Sequence, residues 1–107
     1  MRILFDQGTP APLRRSLVGH SVATAFEKAW GKLQNGDLIR VAETEGFHAM
    51  ITTDQNLKHQ QNLHDRKLAI LVLPTTSWPK IQMHLEKISA AVNSLKPGEY
   101  RELDFGD

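Results

Sequence analysis

The 107-residue sequence contains no cysteine, which excludes disulfide bonds, thiolate nucleophiles and cysteine-based zinc sites. It also has no apolar run approaching the roughly 20 residues of a membrane-spanning helix, so we expect no membrane partner. The opening stretch MRILF is followed at once by Asp6, and we therefore expect no signal peptide. From the small size and the absence of a targeting segment, we predict a cytoplasmic, bacterial protein.

An excess of charge of one sign is also missing. The chain has 13 basic and 12 acidic residues, which gives a formal net charge of +1. This balance provides no general attraction to nucleic acid, so a role in nucleic-acid binding would need a local basic patch. The apolar content of 40% is ordinary for a soluble globular protein, and the length suits one domain over residues 1–107.

Short apolar runs alternate with longer amphipathic segments, and this order predicts an α/β fold with a largely parallel sheet. Predicted strands are Arg2 to Phe5, His20 to Ala25, FHAMITT at residues 47–53, and Leu68 to Leu73. The last of these, LAILVL, is predicted to be a central strand buried on both faces. Within residues 95–107, YRELDF is predicted to form a short edge strand or a loose tail.

Helices are predicted between these strands. Prolines in TPAPLRRSLV suit a helix start, and FEKAWGKL predicts a short helix. Asn35 is the expected N-cap of the next helix, with Asp37 in its first turn and Gly46 as its stop. Residues 54–66 are predicted to be mostly helical. The last helix should begin after Ser77 and bury one face, formed by Ile81, Leu85, Ile88, Val92 and Leu95.

Three acids occupy related places in this pattern. Asp6 follows the first strand, Asp54 follows the third, and Asp37 opens the helix before the third. The carboxyl ends of parallel strands line one edge of a sheet, where ligands bind. Carboxylates there could hold a divalent ion that activates water against a phosphodiester. Each acid also has a purely structural explanation, as a helix cap, a partner of the helix dipole or a turn residue.

Three stretches, MRILFDQGTPAPLRRSL, NGDLIRVAETEGFHAMITTDQNL and LAILVL, resemble the small stand-alone proteins of the PIN-like nuclease superfamily. In that family a first strand ends in Asp-Glu-Asn, Ser-Asp-Glu-Glu opens a helix, and a later strand ends in Thr-Arg-Asp-x-Asp-Phe. The resemblance extends to about Val92. It implies a three-layer α/β/α sandwich around a mainly parallel sheet of four or five strands, with carboxylates that bind Mg²⁺ or Mn²⁺ for RNA cleavage. Because many relatives are toxins of toxin–antitoxin pairs, the resemblance allows a small antitoxin partner, and because PIN-like domains commonly dimerise it also suggests a homodimer.

By position, the resemblance implies that Asp6, Asp37 and Asp54 are the catalytic residues and metal ligands. Amides stand at three positions where the family has acids, namely Gln7, Asn35 and Asn56. An amide oxygen can coordinate a cation but brings no negative charge, so we expect weaker metal binding.

These amides, together with Gln55, are expected to orient water or substrate, while Arg14 and Lys58 are expected to bind RNA phosphates. The amide substitutions equally support an alternative. In that interpretation the chain is a catalytically degenerate module that binds RNA, a nucleotide or a protein partner without cleavage.

Overall fold

A computed structural model describes residues 1–60 and 66–106, except for the side chains of residues 59 and 60. Its strands are β1 (Arg2–Phe5), β2 (Ser21–Thr24), β3 (Ala49–Thr52), β4 (Ala69–Val72) and β5 (Tyr100–Glu102). A 3₁₀ helix (Ala11–Ser16) joins β1 to β2. The α-helices are α1 (Asn35–Thr44), α2 (Leu57–Gln60), α3 (Trp78–Gln82) and α4 (Leu85–Ser94). None of the helices within the described ranges has the length and apolarity to cross a membrane.

All five strands are parallel and form one sheet in the order β2-β1-β3-β4-β5. Apolar side chains alternate between its two faces, as the two-residue period of a strand requires. One face packs against the 3₁₀ helix, α3 and α4, with a core that includes Ile3, Phe5, Leu13, Ile51, Leu71, Ile81, Ile88 and Val92. The other packs against α1 and α2 through Leu4, Leu38, Ile39, Met50, Leu57, Ile70 and Val72. The predicted α/β sandwich with a parallel sheet is therefore confirmed.

The strand order creates a crevice beside β1. The chain leaves β1 over the face that carries the 3₁₀ helix, whereas it leaves the neighbouring strand β3 over the opposite face, where α2 packs. Connections that leave neighbouring strands on opposite faces open a gap at the carboxyl ends of those strands, and ligands of open α/β sheets bind there. In this chain the gap lies between the ends of β1 and β3.

Three local predictions are wrong. FEKAWGKL forms turns rather than a helix. The main-chain N–H of Ala25, just before this segment, donates to the carbonyl of Phe5, and the N–H of Trp30 donates to the carbonyl of Ala25. The N-cap of α1 is Gln34, not Asn35. The single final helix is two helices, since His84 leaves helical geometry and its ring stacks on Phe105 at 4.2 Å.

Other local predictions hold. Ser77 caps α3 by accepting a hydrogen bond from the N–H of Lys80, and Gly46 follows α1 with a φ of 84°. β4 is an interior strand, although the middle strand is β3. β5 is an edge strand, as the sequence allowed. Of the helix predicted over residues 54–66, the structure has α2, and residues 61–65 lie outside the described part.

Ala29 has a φ of 63°, which is the left-handed region that side chains with a Cβ disfavour. We predict that Ala29→Gly raises the free energy of unfolding by about 0.5–1 kcal/mol, because relief of this strain exceeds the added entropy of the unfolded chain. Urea denaturation measures the change. The matched control is Ala90→Gly, at an exposed position inside α4, which should lose about 1 kcal/mol. A loss of stability in both variants would contradict the prediction.

Candidate functional site

Asp6 lies at the crevice, where its main chain continues the pairing of β1 with β3. β1 and β3 pair with Phe5 opposite Ile51, and the main-chain N–H of Asp6 continues that ladder to the carbonyl of Ile51 at 3.2 Å. Asp6 therefore lies beside Thr52, whose hydroxyl donates to Asp6 Oδ2 at 2.5 Å. Asp6 is 9% exposed and Thr52 is fully buried. A carboxylate removed from water this far needs such donors.

The second oxygen of Asp6 is bound by another hydroxyl. Thr9 Oγ1 lies 2.6 Å from Asp6 Oδ1 and 2.9 Å from the carbonyl oxygen of Ile51, and its single hydrogen serves these two acceptors. The two threonines hold the carboxylate in one orientation. Each carboxylate oxygen accepts two hydrogen bonds at full capacity, so each keeps a further lone pair for another ligand.

Asp54 also bonds to the Thr52 hydroxyl, through its main chain. The main-chain N–H of Asp54 donates to Thr52 Oγ1 at 3.1 Å. The carboxylate of Asp54 accepts from the side-chain amide of Asn35 at 2.5 Å and from the main-chain N–H of Asn56 at 2.9 Å. Asn35 is the first residue of α1, so this contact ties the start of that helix to the end of β3. Thr52 thus links the carboxylate of Asp6 to the backbone of Asp54.

Asp37 does not join this cluster. Its carboxylate forms an ion pair with Arg40 one turn later in α1, and its side chain is 51% exposed. Across residues 1–60 and 66–106, no three histidine, cysteine, aspartate or glutamate side chains form a group that could hold a metal ion. The structure therefore unites two of the three predicted acids with Asn35 and leaves Asp37 in its helix.

Two of the other predicted amides, Gln7 and Gln55, bind main-chain carbonyls, whereas Asn56 contributes its main-chain N–H to Asp54. Gln7 donates to the carbonyl of Gly31 at 3.1 Å, which fixes the loop after β2 against the end of β1. Gln55 donates to the carbonyl of Leu73 at the end of β4. Both side chains thus stabilise the loops that form the rim of the crevice.

The two predicted phosphate-binding cations have acidic partners. Arg14 pairs with Glu27 at 2.8 Å, and Lys58 pairs with Glu102 at 3.1 Å. Glu102 also accepts a hydrogen bond from the Tyr100 hydroxyl. Burial, the hydrogen bond to Glu102 and the charges of Glu102 and Asp54 raise the pKa of Tyr100 to about 12. Tyr100 is therefore a neutral donor at physiological pH, within electrostatic reach of Asp54.

Thr9, Thr52 and Tyr100 lie at or near the site, although they were not among the residues predicted from the sequence. Thr52 carried a usable pattern, because it is the polar residue two positions after buried Met50 and so faces the same side of β3. Thr9 reaches Asp6 through a local turn three residues long, in which its N–H donates to the Asp6 carbonyl at 3.3 Å. Tyr100 lies on β5 and comes near the site through strand order, which no local pattern encodes.

Asp6 and Asp54 bring carboxylate oxygens, which are the ligands that a hard cation takes. Mg²⁺ keeps several waters and is commonly bound by one or two carboxylates together with substrate phosphates. Asp6 and Asp54 provide two carboxylates, and the threonine hydroxyls orient one of them as outer groups orient metal ligands. The same set does not provide a complete all-protein cage.

We predict that Thr52→Val lowers the free energy of unfolding by about 1–3 kcal/mol, because buried Asp6 Oδ2 loses its donor without a change in side-chain shape. Chemical denaturation measures the loss. Thr52→Ser keeps the hydroxyl and should retain more stability. Thr44→Val, at an exposed position of α1, is the surface control and should stay within about 0.5 kcal/mol of the parent. Equal stability of Thr52→Val and the parent protein would disprove the role of this hydroxyl.

Comparison with known proteins gives no match: no protein-family model, no curated protein and no solved structure is similar to this chain. The resemblance to PIN-like nucleases therefore stays a prediction from the sequence motifs. The case for any function depends on the arrangement of Asp6, Thr52, Asp54 and Asn35 at the edge of the sheet.

Proposed function

We propose that this protein is a divalent-metal-dependent ribonuclease of the PIN-like type, with Asp6 and Asp54 as its principal acids. The observation that carries the proposal is the Thr52 hydroxyl, which bonds to the carboxylate of Asp6 and to the backbone of Asp54. It brings together, at the expected ligand crevice, the acids that follow β1 and β3. Both positions match acids of the family motifs.

In this proposal the protein supplies position and charge. Thr9 and Thr52 hold the carboxylate of Asp6, and Asn35 holds that of Asp54, so the site needs little reorganisation when RNA binds. A bound Mg²⁺ or Mn²⁺ would lower the pKa of a water and stabilise the charge that develops on the phosphodiester. Asp37 would act through water at most.

Two basic side chains would bind the RNA backbone. Arg14 and Lys58 are each partly exposed, and each exchanges some contact with its glutamate for a phosphate oxygen when RNA binds. The proposal also includes action as the toxin of a toxin–antitoxin pair, with a small antitoxin protein and a second copy of the chain as partners. These last points rest on the resemblance alone.

We predict that Asp6→Asn and Asp54→Asn each reduce Mn²⁺-dependent cleavage of RNA by at least about a hundredfold, because each removes half of the paired negative charge. Asp37→Asn is the matched control and should lose about tenfold at most, as expected for a group that acts through water. Cleavage is followed on a labelled RNA, with thermal melting to verify the fold of each variant. Parent-level cleavage by folded Asp6→Asn would reject the assignment.

A second candidate function is RNA, nucleotide or protein binding without cleavage. The neutral amide of Asn35 favours it, because this amide already donates to Asp54 Oδ2, where a cation would otherwise compensate the charge. Gln7 and Asn56 likewise replace acids of the family motif. A site satisfied by amides and hydroxyls has less need of a metal ion.

Thermal melting with and without millimolar MnCl₂ separates the two functions. The nuclease requires that Mn²⁺ bind the folded chain, so we predict a melting temperature several degrees higher for the parent protein at concentrations far above Kd. Asp6→Asn should show a much smaller shift. No Mn²⁺-dependent shift in the parent protein, either alone or with a non-hydrolysable RNA analogue, would contradict the nuclease and favour the non-cleaving module.

A further inference from the structure

A cavity of about 520 Å³ opens beside Asp6, between the carboxyl ends of β1 and β2. Its walls include Asp6, Thr24, Phe26, Glu27 and Arg14. The volume lies within the range of small-molecule sites, so the cavity is large enough for a single nucleotide. Its lining therefore includes both Asp6, a proposed catalytic residue, and the aromatic residue Phe26.

The ring of Phe26 is exposed although the backbone beside it is held firmly. Phe26 is 79% exposed, whereas its neighbour Ala25 is 1% exposed and donates its N–H to the carbonyl of Phe5 at 2.8 Å. On the other side, the side chains of Thr24 and Glu27 each accept the other residue's N–H, at 3.0 and 2.9 Å. A large apolar side chain is therefore presented to water from a fixed turn.

The cavity lining beside Phe26 includes Arg14, whose N–H donors can bind a phosphate. Arg14 donates two hydrogen bonds to the Glu27 carboxylate, at 2.8 and 3.1 Å. The Arg14 hydrogen bond and the N–H of Thr24 lower the pKa of Glu27, so the pair consists of two ionised groups without net charge. A guanidinium has five N–H donors, and three of those on Arg14 remain beyond this pair.

We propose that Phe26 stacks on a nucleobase of bound RNA and places the adjacent phosphate at Asp6. Every base has a π-face that an aromatic side chain can cover, provided that the base is not enclosed in a duplex. Phe26 is thus a positioning residue. The inference rests on RNA being the ligand of the proposed function but does not require cleavage.

Binding in EDTA tests the stacking without catalysis. Fluorescence anisotropy would measure the affinity of a labelled single-stranded RNA of about 12 nucleotides and of its duplex, for the parent protein and for Phe26→Ala. We expect Phe26→Ala to weaken single-strand binding by roughly 5- to 150-fold, the worth of one stacked base. Phe26→Trp should preserve binding. Duplex binding should be weak and indifferent to the substitution.

Two other exposed apolar residues serve as matched controls. Val18 is 86% exposed and Met83 is 78% exposed, and neither lines this cavity. Val18→Ala and Met83→Ala should bind single-stranded RNA like the parent protein. A 2-aminopurine base in the RNA adds a direct readout, because stacking on Phe26 quenches its fluorescence and Phe26→Ala should remove that quenching.

Each outcome decides the inference. It is overturned if Phe26→Ala binds like the parent protein, if the two controls lose as much affinity, or if the parent protein binds no RNA either in EDTA or with Ca²⁺ in place of Mn²⁺. If the parent protein cleaves RNA but Phe26→Ala binds RNA as tightly as the parent, the stacking is rejected and the nuclease is not. A loss of binding in Phe26→Ala, with no cleavage by the parent protein, supports the stacking and rejects the nuclease.

Discussion

The burial of one carboxylate governs the whole edge of the sheet where the site lies. Asp6 is almost fully removed from water, and an ionised carboxylate in that position is costly unless donors surround it. Its donors are Thr9, on the loop after β1, and Thr52, at the end of β3. A one-residue shift between these strands would turn Thr52 to the other face. The polar contact and the apolar core therefore require the same register.

The part of the site that the sequence could predict is the part that lies at the ends of strands. Apolar runs of strand length located the ends of β1 and β3, and those ends located Asp6 and Asp54 at the edge of a parallel sheet. Asp37 was placed correctly in the first turn of α1. In that turn Arg40 lies three residues later, where an opposite charge is within reach, and the local ion pair is what the structure contains.

The errors share a physical cause. FEKAWGKL was predicted to be a helix, yet Ala25 directly before it is hydrogen-bonded to the end of β1, and Ala29 takes a backbone conformation that no propensity favours. In the last helical region, the spacing of Ile81 and Ile88 continues across a break, because both side chains reach the same core from separate helices. Tertiary contacts override local preference at these points, and a single sequence does not display them.

Asn35 bears on the choice between the two proposed functions. The side-chain amide of Asn35 donates a hydrogen bond to Asp54 Oδ2. A neutral amide thus stands where the family motif has an acid, and it occupies an oxygen that a cation could otherwise bind. An acid at that distance would repel Asp54 and increase the need for a metal ion, whereas the amide reduces it. In the proposed nuclease, metal binding would therefore depend on the charge of Asp6 and Asp54, completed by the phosphate of the substrate. Such a site would bind its ion weakly in the free protein and more strongly with RNA present, because the phosphate supplies the missing negative ligand.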